Sequence, residues 1–344
     1  MRFVPSPLYV MIESFRVSGD SGAVSGWSVA PGHGADRVSV SLDGVPWVND
    51  CALGERPDVH AIRFPEIPHA TRSGFAIEAP LPAELRGRAT FRAGWTARHE
   101  GRAIATTTLD VRDPSRSEPR IPLPPPELQR HVGELGDFPA TGWRIYGDLR
   151  AHLGRHARLA DLERVLDWGC GCGRVLGWLL EDVPAERVFG CDIDREAIEW
   201  LAGRASGATV HPSDALPPLP YDAAFFDLVY GISVFTHLDE PTQFRWLEEL
   251  ARVCRPGGLV AVSVLGPSVS PPWLRLALDQ KGFSDELSAQ SGVFATWSSP
   301  DYYRLACHTP EYVASRWTRF FDVLEWIEGG INAHQDLVVM RRRA

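Results

Sequence analysis

Two rhythms of apolar and polar positions divide the chain. Across residues 1–113 the apolar positions fall in short alternating runs broken by Gly and Pro. Val10-Met11-Ile12 and Phe15-Arg16-Val17 lead to Gly22, and Val24 to Val29 carries Trp27. Arg37 to Leu42 alternates strictly and stops at Asp43-Gly44, a dipeptide that accepts the positive φ of a tight hairpin. Ala89 to Ala97 holds Phe91 and Trp95, Glu100-Gly101 turns the chain, and Ile104 to Val111 follows. No helical period persists here. Roughly six to eight short strands with turns between them predict an antiparallel β-sandwich. Trp27, Trp47 and Trp95 suit either its core or stacking on a sugar.

The second rhythm starts after a proline-rich stretch. Pro114, Pro119, Pro122, Pro124, Pro125 and Pro126 predict a stiff, extended linker. Leu128 to Leu135 predicts a short helix, and Trp143 to Leu153 a second, with Ile145, Leu149 and Leu153 four residues apart. From Arg164 onward strands and helices alternate. Val165-Leu166 reads as a buried strand closed by Asp167, followed by a tight turn through Gly169, Gly171 and Gly173. An apolar run, Val175, Leu176, Leu179 and Leu180, then has helical spacing. Further strands are predicted at Arg187–Asp192, Thr209–His211, Phe225–Gly231 and Leu259–Leu265, with helices at Asp194 to Arg204 and Pro241 to Val253. Residues 266–306 interrupt the pattern with Pro, Ser and the aromatics Trp273, Phe283, Phe294, Trp297, Tyr302 and Tyr303, as a cover over a substrate would. A helix from Glu311 to Thr318, capped by Thr309, is predicted next. The last two strands are predicted at Phe320–Glu328 and Asp336–Met340, joined by a hairpin at Gly329-Gly330.

Strand, glycine turn and helix make a crevice at the carboxyl end of an α/β sheet. A dinucleotide site would want its third glycine where Arg174 stands. Asp167 to Gly173, Asp192 at the next strand end, Phe226-Asp227-Leu228-Val229 and Arg255-Pro256-Gly257-Gly258 together resemble the Rossmann-like, S-adenosylmethionine (SAM)-dependent methyltransferases. This resemblance implies an α/β fold with a seven-stranded methyltransferase sheet beside the N-terminal β-sandwich. It divides the chain into an accessory domain at 1–113, a linker at 114–142 and a methyltransferase domain at 143–344. The N-terminal part resembles the small immunoglobulin-like modules of bacterial glycan-modifying methyltransferases, on Gly26-Trp27, Leu42-Asp43-Gly44 and Arg56-Pro57-Asp58-Val59. That module implies glycan binding, or else a scaffold or homodimer contact.

Composition removes other classes. The 344 residues are 44% hydrophobic and 23% charged, as in an ordinary globular chain. A net charge of −9 argues against a nucleic-acid partner. No apolar run reaches the length of a membrane span, and the N-terminus lacks the basic region of a signal peptide. The six cysteines have no zinc-ligand spacing and read as buried thiols in a reducing cytoplasm.

The resemblance assigns the cofactor site. Asp167 is placed for the ammonium group of SAM, and Trp168, Gly169, Cys170, Gly171 and Gly173 form its turn. Asp192 with Ile193 faces the ribose, Asp214 and Ala215 the adenine, and Gly231 and Ile232 the crevice wall. Tyr146 lies on a helix that closes over the site in many such enzymes. Methyl transfer to a hydroxyl also needs a base, and His237, His308 and His334 are the candidates by position. No metal is implied: Gly231, Ile232 and Ser233 stand where magnesium-binding acids would. The implied activity is O-methylation of a sugar, glycan or small-molecule acceptor. The alternatives are N-methylation of a metabolite or protein side chain, and a glycan-binding protein whose methyltransferase fold has lost catalysis.

Overall fold

The structure is a computed structural model in which residues 1–113, 119–129, 138–205, 207–270, 272–287 and 303–343 are described. The N-terminal alternation becomes two antiparallel sheets. After a short β1 (Arg2–Val4) come β2 (Tyr9–Ser18), β3 (Ser21–Val29), β4 (Arg37–Leu42), β5 (Val45–Ala52), β6 (Gly54–Glu55), β7 (Arg72–Pro80), β8 (Thr90–His99) and β9 (Arg102–Arg112). Each sheet has four strands, in the orders β2-β3-β7-β6 and β5-β4-β8-β9. Strict alternation along β4 sends Val38, Val40 and Leu42 inward. There they join Phe15, Val24 and Phe75 of the other sheet in one apolar cluster. Phe75 and Trp95 meet across it with ring centroids 4.5 Å apart. Asp43 and Gly44 take φ of 49° and 84°, as a tight hairpin requires. One helix, α1 (Pro57–Ile62), breaks the strand series. Its six residues are too few to show a helical period in the sequence.

The remaining elements are α2 (Phe138–Leu153), β10 (Val165–Trp168), α3 (Leu176–Leu179), β11 (Val188–Asp192), α4 (Arg195–Ala202), β12 (Thr209–Pro212), β13 (Phe226–Gly231), α5 (Glu240–Val253), β14 (Cys254–Val264), α6 (Pro272–Lys281), β15 (Phe283–Leu287), β16 (Arg304–His308), α7 (Pro310–Arg316), β17 (Phe321–Ile331) and β18 (Gln335–Arg342). They build a mixed sheet in the order β1-β17-β18-β14-β13-β10-β11-β12. Its strands run parallel except β18, which is antiparallel to both neighbours. One face is covered by α2, α3 and α4, the other by α5 and α7.

Three expectations need correction. The sheet has eight strands rather than seven, because Arg2–Val4 pairs in parallel with Glu325–Ile327. Three residues carry no readable alternation. The turn between β17 and β18 lies at Asn332 and Ala333, with φ of 55° and 48°, and not at Gly329-Gly330. Those glycines stay inside β17, where the register shifts between Ile327 and Ile331. Gly329 is there because a Cβ would sit 2.4 Å from the Tyr9 ring. Residues 266–306 are not purely a loop: they carry α6, β15 and the start of β16. Phe294, Trp297 and Tyr302 lie outside the described residues, as do residues 130–135 of the expected short helix. Residues Pro126–Gln129 form a 3-10 turn.

The two halves of the chain touch closely. Arg112 at the end of β9 lies 4.8 Å over Trp143 and 4.7 Å over Trp178, and pairs with Glu181 at 2.9 Å. Arg144 on α2 donates to the Ile12 carbonyl, and Arg275 on α6 pairs with Glu66. Among the described residues no helix is long and apolar enough to cross a membrane.

Candidate active site

The carboxyl ends of β10, β11 and β13 open into a cleft of about 470 Å³. Three glycines shape its floor. Gly169, Gly171 and Gly173 have φ of 82°, 52° and 84°, a left-handed backbone that other residues adopt at a cost. Gly169 N and Cys170 N both donate to Cys191 O, at 2.8 and 3.1 Å, which ties the turn to β11. A Cβ on Gly171 would meet nothing within 4 Å, so the backbone there opens onto space that a ligand can use.

Asp192 is held by the turn it faces. Gly171 N donates to its Oδ2 and Asp194 N to its Oδ1, both at 2.8 Å. The carboxylate is therefore fixed in direction by two backbone amides. Asp194 caps α4 by accepting from Ala197 N at 3.1 Å. Ile193, Trp168, Gly169, Cys170, Gly171, Ala215 and Ile232 also line the cleft. Trp168 forms its floor with Trp246, their centroids 4.8 Å apart.

Other expected residues sit elsewhere. Asp167, Gly173 and Gly231 lie behind the lining, and Gly231 is needed because a Cβ would be 2.7 Å from the Trp168 ring. Asp167 is buried beneath the turn with Oδ2 unbonded, and burial pushes its carboxyl up to about 7. The Tyr230 hydroxyl biases it downward against that larger effect of burial. Asp214 is exposed and 3.4 Å from Arg195, with Ser213 and Ala215 on either side of it in the lining. Tyr146 is buried away from the cleft, its hydroxyl donating to Asp182.

The three histidines separate clearly. His237 lines the cleft, its ring stacked on Tyr303 at 5.0 Å and 25°. Its Nδ1 is 3.0 Å from Arg304 O, and a carbonyl can only accept, so Nδ1 carries a proton. His308 is fully buried behind this loop. Its Nε2 donates to Gln243 Oε1 at 2.8 Å, while Gln243 Nε2 donates to Phe235 O and Leu238 O at 3.0 and 3.1 Å. His308 thus braces the segment that carries His237. His334 sits in the β17–β18 turn, outside the lining, with Nδ1 unbonded. Burial pushes both His308 and His334 down to about 3.

Ser233 and Val234 line the cleft, as expected of the stretch after β13, whereas Ser213, Trp246 and Arg174 line it without any site role expected from the sequence. Trp246 had a signal: with Leu247, Leu250 and Val253 it makes the true buried stripe of α5 at helical spacing. Ser233, at the end of β13, has φ of 60°, which no pattern reveals.

With this geometry in place, comparison with known proteins is direct. Residues 165–258 match the family described as a methyltransferase domain. The match covers the glycine turn, Asp192 and β13, less than a third of the chain. The chain is similar to the tRNA (carboxymethyluridine(34)-5-O)-methyltransferase of Arabidopsis thaliana, 38% identical over 101 residues, which cover 29% of this chain and 23% of that one. It is similar to methyltransferase GfsG of Streptomyces halstedii, 32% identical over 107 residues, covering 29% and 37%. An uncharacterized protein of Mycobacterium tuberculosis is 27% identical over 185 residues, covering 52% and 64%. The matched segments thus span less than two thirds of these relatives. Among solved structures, a SAM-dependent methyltransferase from Methanosarcina mazei aligns with a TM-score of 0.41 at 18% identity, covering 56% of this chain and 97% of that one.

Proposed function

We propose that this protein transfers a methyl group from SAM to a hydroxyl of a sugar, a glycan or another small molecule. SAM supplies a methyl group already activated on a sulfonium, so the protein must align the acceptor, exclude water and take a proton. Asp192, pre-oriented by two backbone amides, accepts hydrogen bonds from the ribose hydroxyls. Ser213, Ala215, Leu216 and Trp246 form the adenine end. His237 is the base. The observation that carries this reading is that, of the three histidines, His237 lines the cleft, with its ring held in orientation by the Nδ1–H bond to Arg304 O.

The choice of a hydroxyl is supported by the Arabidopsis relative, whose name specifies 5-O transfer. Its tRNA acceptor does not suit a chain of net charge −9. Residues 1–113 are read as an immunoglobulin-like sandwich that presents a glycan or serves as a scaffold, followed by a linker at 114–142 and the catalytic domain at 143–344. Their separate apolar cluster supports that division. A cytoplasmic setting and a homodimer remain part of the proposal. The test is a radiolabelled-methyl transfer screen against sugar nucleotides, glycan fragments, phenols and amines. Label on a hydroxyl that disappears in His237→Ala supports the reading, and label only on an amine or a protein overturns it.

A further inference from the structure

Arg174 stands where a dinucleotide-binding turn would carry its third glycine, and its role goes beyond filling that position. It follows Gly173 directly, so the left-handed turn fixes where its side chain starts. It lines the cleft beside Phe138 and Leu128. It is the only Arg or Lys among the described lining residues, against Asp192, Asp194 and Asp239. Two of those acids are occupied as helix caps, Asp194 toward Ala197 N and Asp239 toward Thr242 N. Among the described residues Arg174 forms no hydrogen bond or ion pair through its side chain. A guanidinium so placed pays for its desolvation only when an anion arrives. Burial pushes it down to about 10, and it stays charged at neutral pH.

We propose that the Arg174 guanidinium receives the α-carboxylate of the cofactor's amino-acid end. This rests on the SAM reading of the cleft. The carboxylate is the one anionic group on SAM, and a guanidinium fork matches it with two parallel hydrogen bonds. The neighbourhood agrees with a zwitterion. The titratable groups acting on Arg174 are Cys172 beside it, Asp167, buried under the turn, and Arg144 on α2. The cleft wall carries negative charge at Asp192, Asp194 and Asp239 and one positive guanidinium at Arg174. An amino acid, positive at one end and negative at the other, is complementary to that arrangement, whereas a nucleotide phosphate is not.

The test compares two ligands by calorimetry: S-adenosylhomocysteine, and 5′-methylthioadenosine, which keeps the nucleoside and thioether but lacks the amino-acid end. Arg174→Gln should weaken S-adenosylhomocysteine by about ten- to hundredfold, the loss of a charged hydrogen bond, and leave methylthioadenosine within about twofold. Arg174→Lys should recover part of the loss. A ligand-side arm needs no variant: wild type should bind decarboxylated SAM more weakly than SAM by the same factor. Equal weakening of both ligands, or no weakening of S-adenosylhomocysteine, overturns the assignment, as does equal binding of SAM and its decarboxylated form. Failure of the wild type to bind S-adenosylhomocysteine at all would instead overturn the cofactor reading on which the assignment rests.

Discussion

Gln335 Nε2 donates to Ser233 Oγ at 2.7 Å, joining the start of β18 to the end of β13 across the mouth of the sheet. Ser233 needs this restraint. Its φ of 60° is left-handed, a conformation that costs a non-glycine residue roughly 1–3 kcal/mol. Ser263 Oγ accepts from Ser233 N at 2.7 Å, and Thr236 Oγ1 donates to Ser233 O at 2.9 Å. Every polar group of Ser233 is therefore used to hold one strained residue, and Val234 to His237 follow it into the cleft. Gln335→Met should lower kcat for methyl transfer several-fold with little change in cofactor affinity. Its melting temperature should fall by an amount matching about 1 kcal/mol, one neutral hydrogen bond. Steady-state kinetics beside thermal melting would show this, and unchanged kcat would mean the segment holds its shape without Gln335.

His237→Ala should reduce kcat by about 10²- to 10⁴-fold, the usual range for a lost general base, while binding S-adenosylhomocysteine as wild type does. Tyr303 stacks on the ring and lines the cleft, so Tyr303→Ala should raise the acceptor KM more than it lowers kcat. An initial-rate study with acceptor and cofactor varied separately distinguishes the two.

Asp192→Ala should weaken SAM by at least about tenfold, since it removes charged acceptors and loosens the turn through Gly171. The isosteric Asp192→Asn should lose less, because one oxygen remains. Calorimetry on both variants checks the order, and affinity equal to wild type in Asp192→Ala would rule out the ribose contact.

Buried titratable groups set opposite pH trends. Asp167 is raised to about 7, so its contribution to stability is full below its unfolded value near 4 and is lost as pH rises through 7. Asp336, raised to about 8 by burial, acts the same way up to pH 8. His308 is depressed to about 3, so the folded state loses stability as pH falls from about 6.5 toward 3. Thermal melting of the ligand-free protein should therefore decline on both sides of mildly acid pH. Asp167→Asn should flatten the limb between pH 5 and about 7; an unchanged slope there would show that Asp167 ionises freely in the fold.

The alternation of β4 and the glycine turn were legible because both are local: each repeats a backbone requirement within a few residues. Asp192 was legible for the same reason, at the end of one strand beyond the turn. The histidines were not separable, because all three lie near strand or helix ends and only the fold shows which faces the cleft. His308 looks identical to His237 in the sequence, yet Gln243 from α5 claims it. Tyr146 sits on the correct helix but faces Asp182, since its neighbours Trp143 and Trp178 decide which side of α2 is inward. Arg174 was noticed only as a missing glycine, because its chemistry depends on what surrounds it in space.

The three residues of β1 have a mechanical consequence. They hydrogen-bond along the outer side of β17, a sheet margin that would otherwise offer free backbone groups to another chain. The same polypeptide then runs out through the N-terminal sheets and returns at Arg112, which lies over both Trp143 and Trp178. The N-terminal sheets are thus moored by β1, by Arg112, by the Arg144 bond to Ile12 and by the Arg275–Glu66 pair. Swinging them away from the rest of the chain would require unzipping β1 and breaking these contacts together.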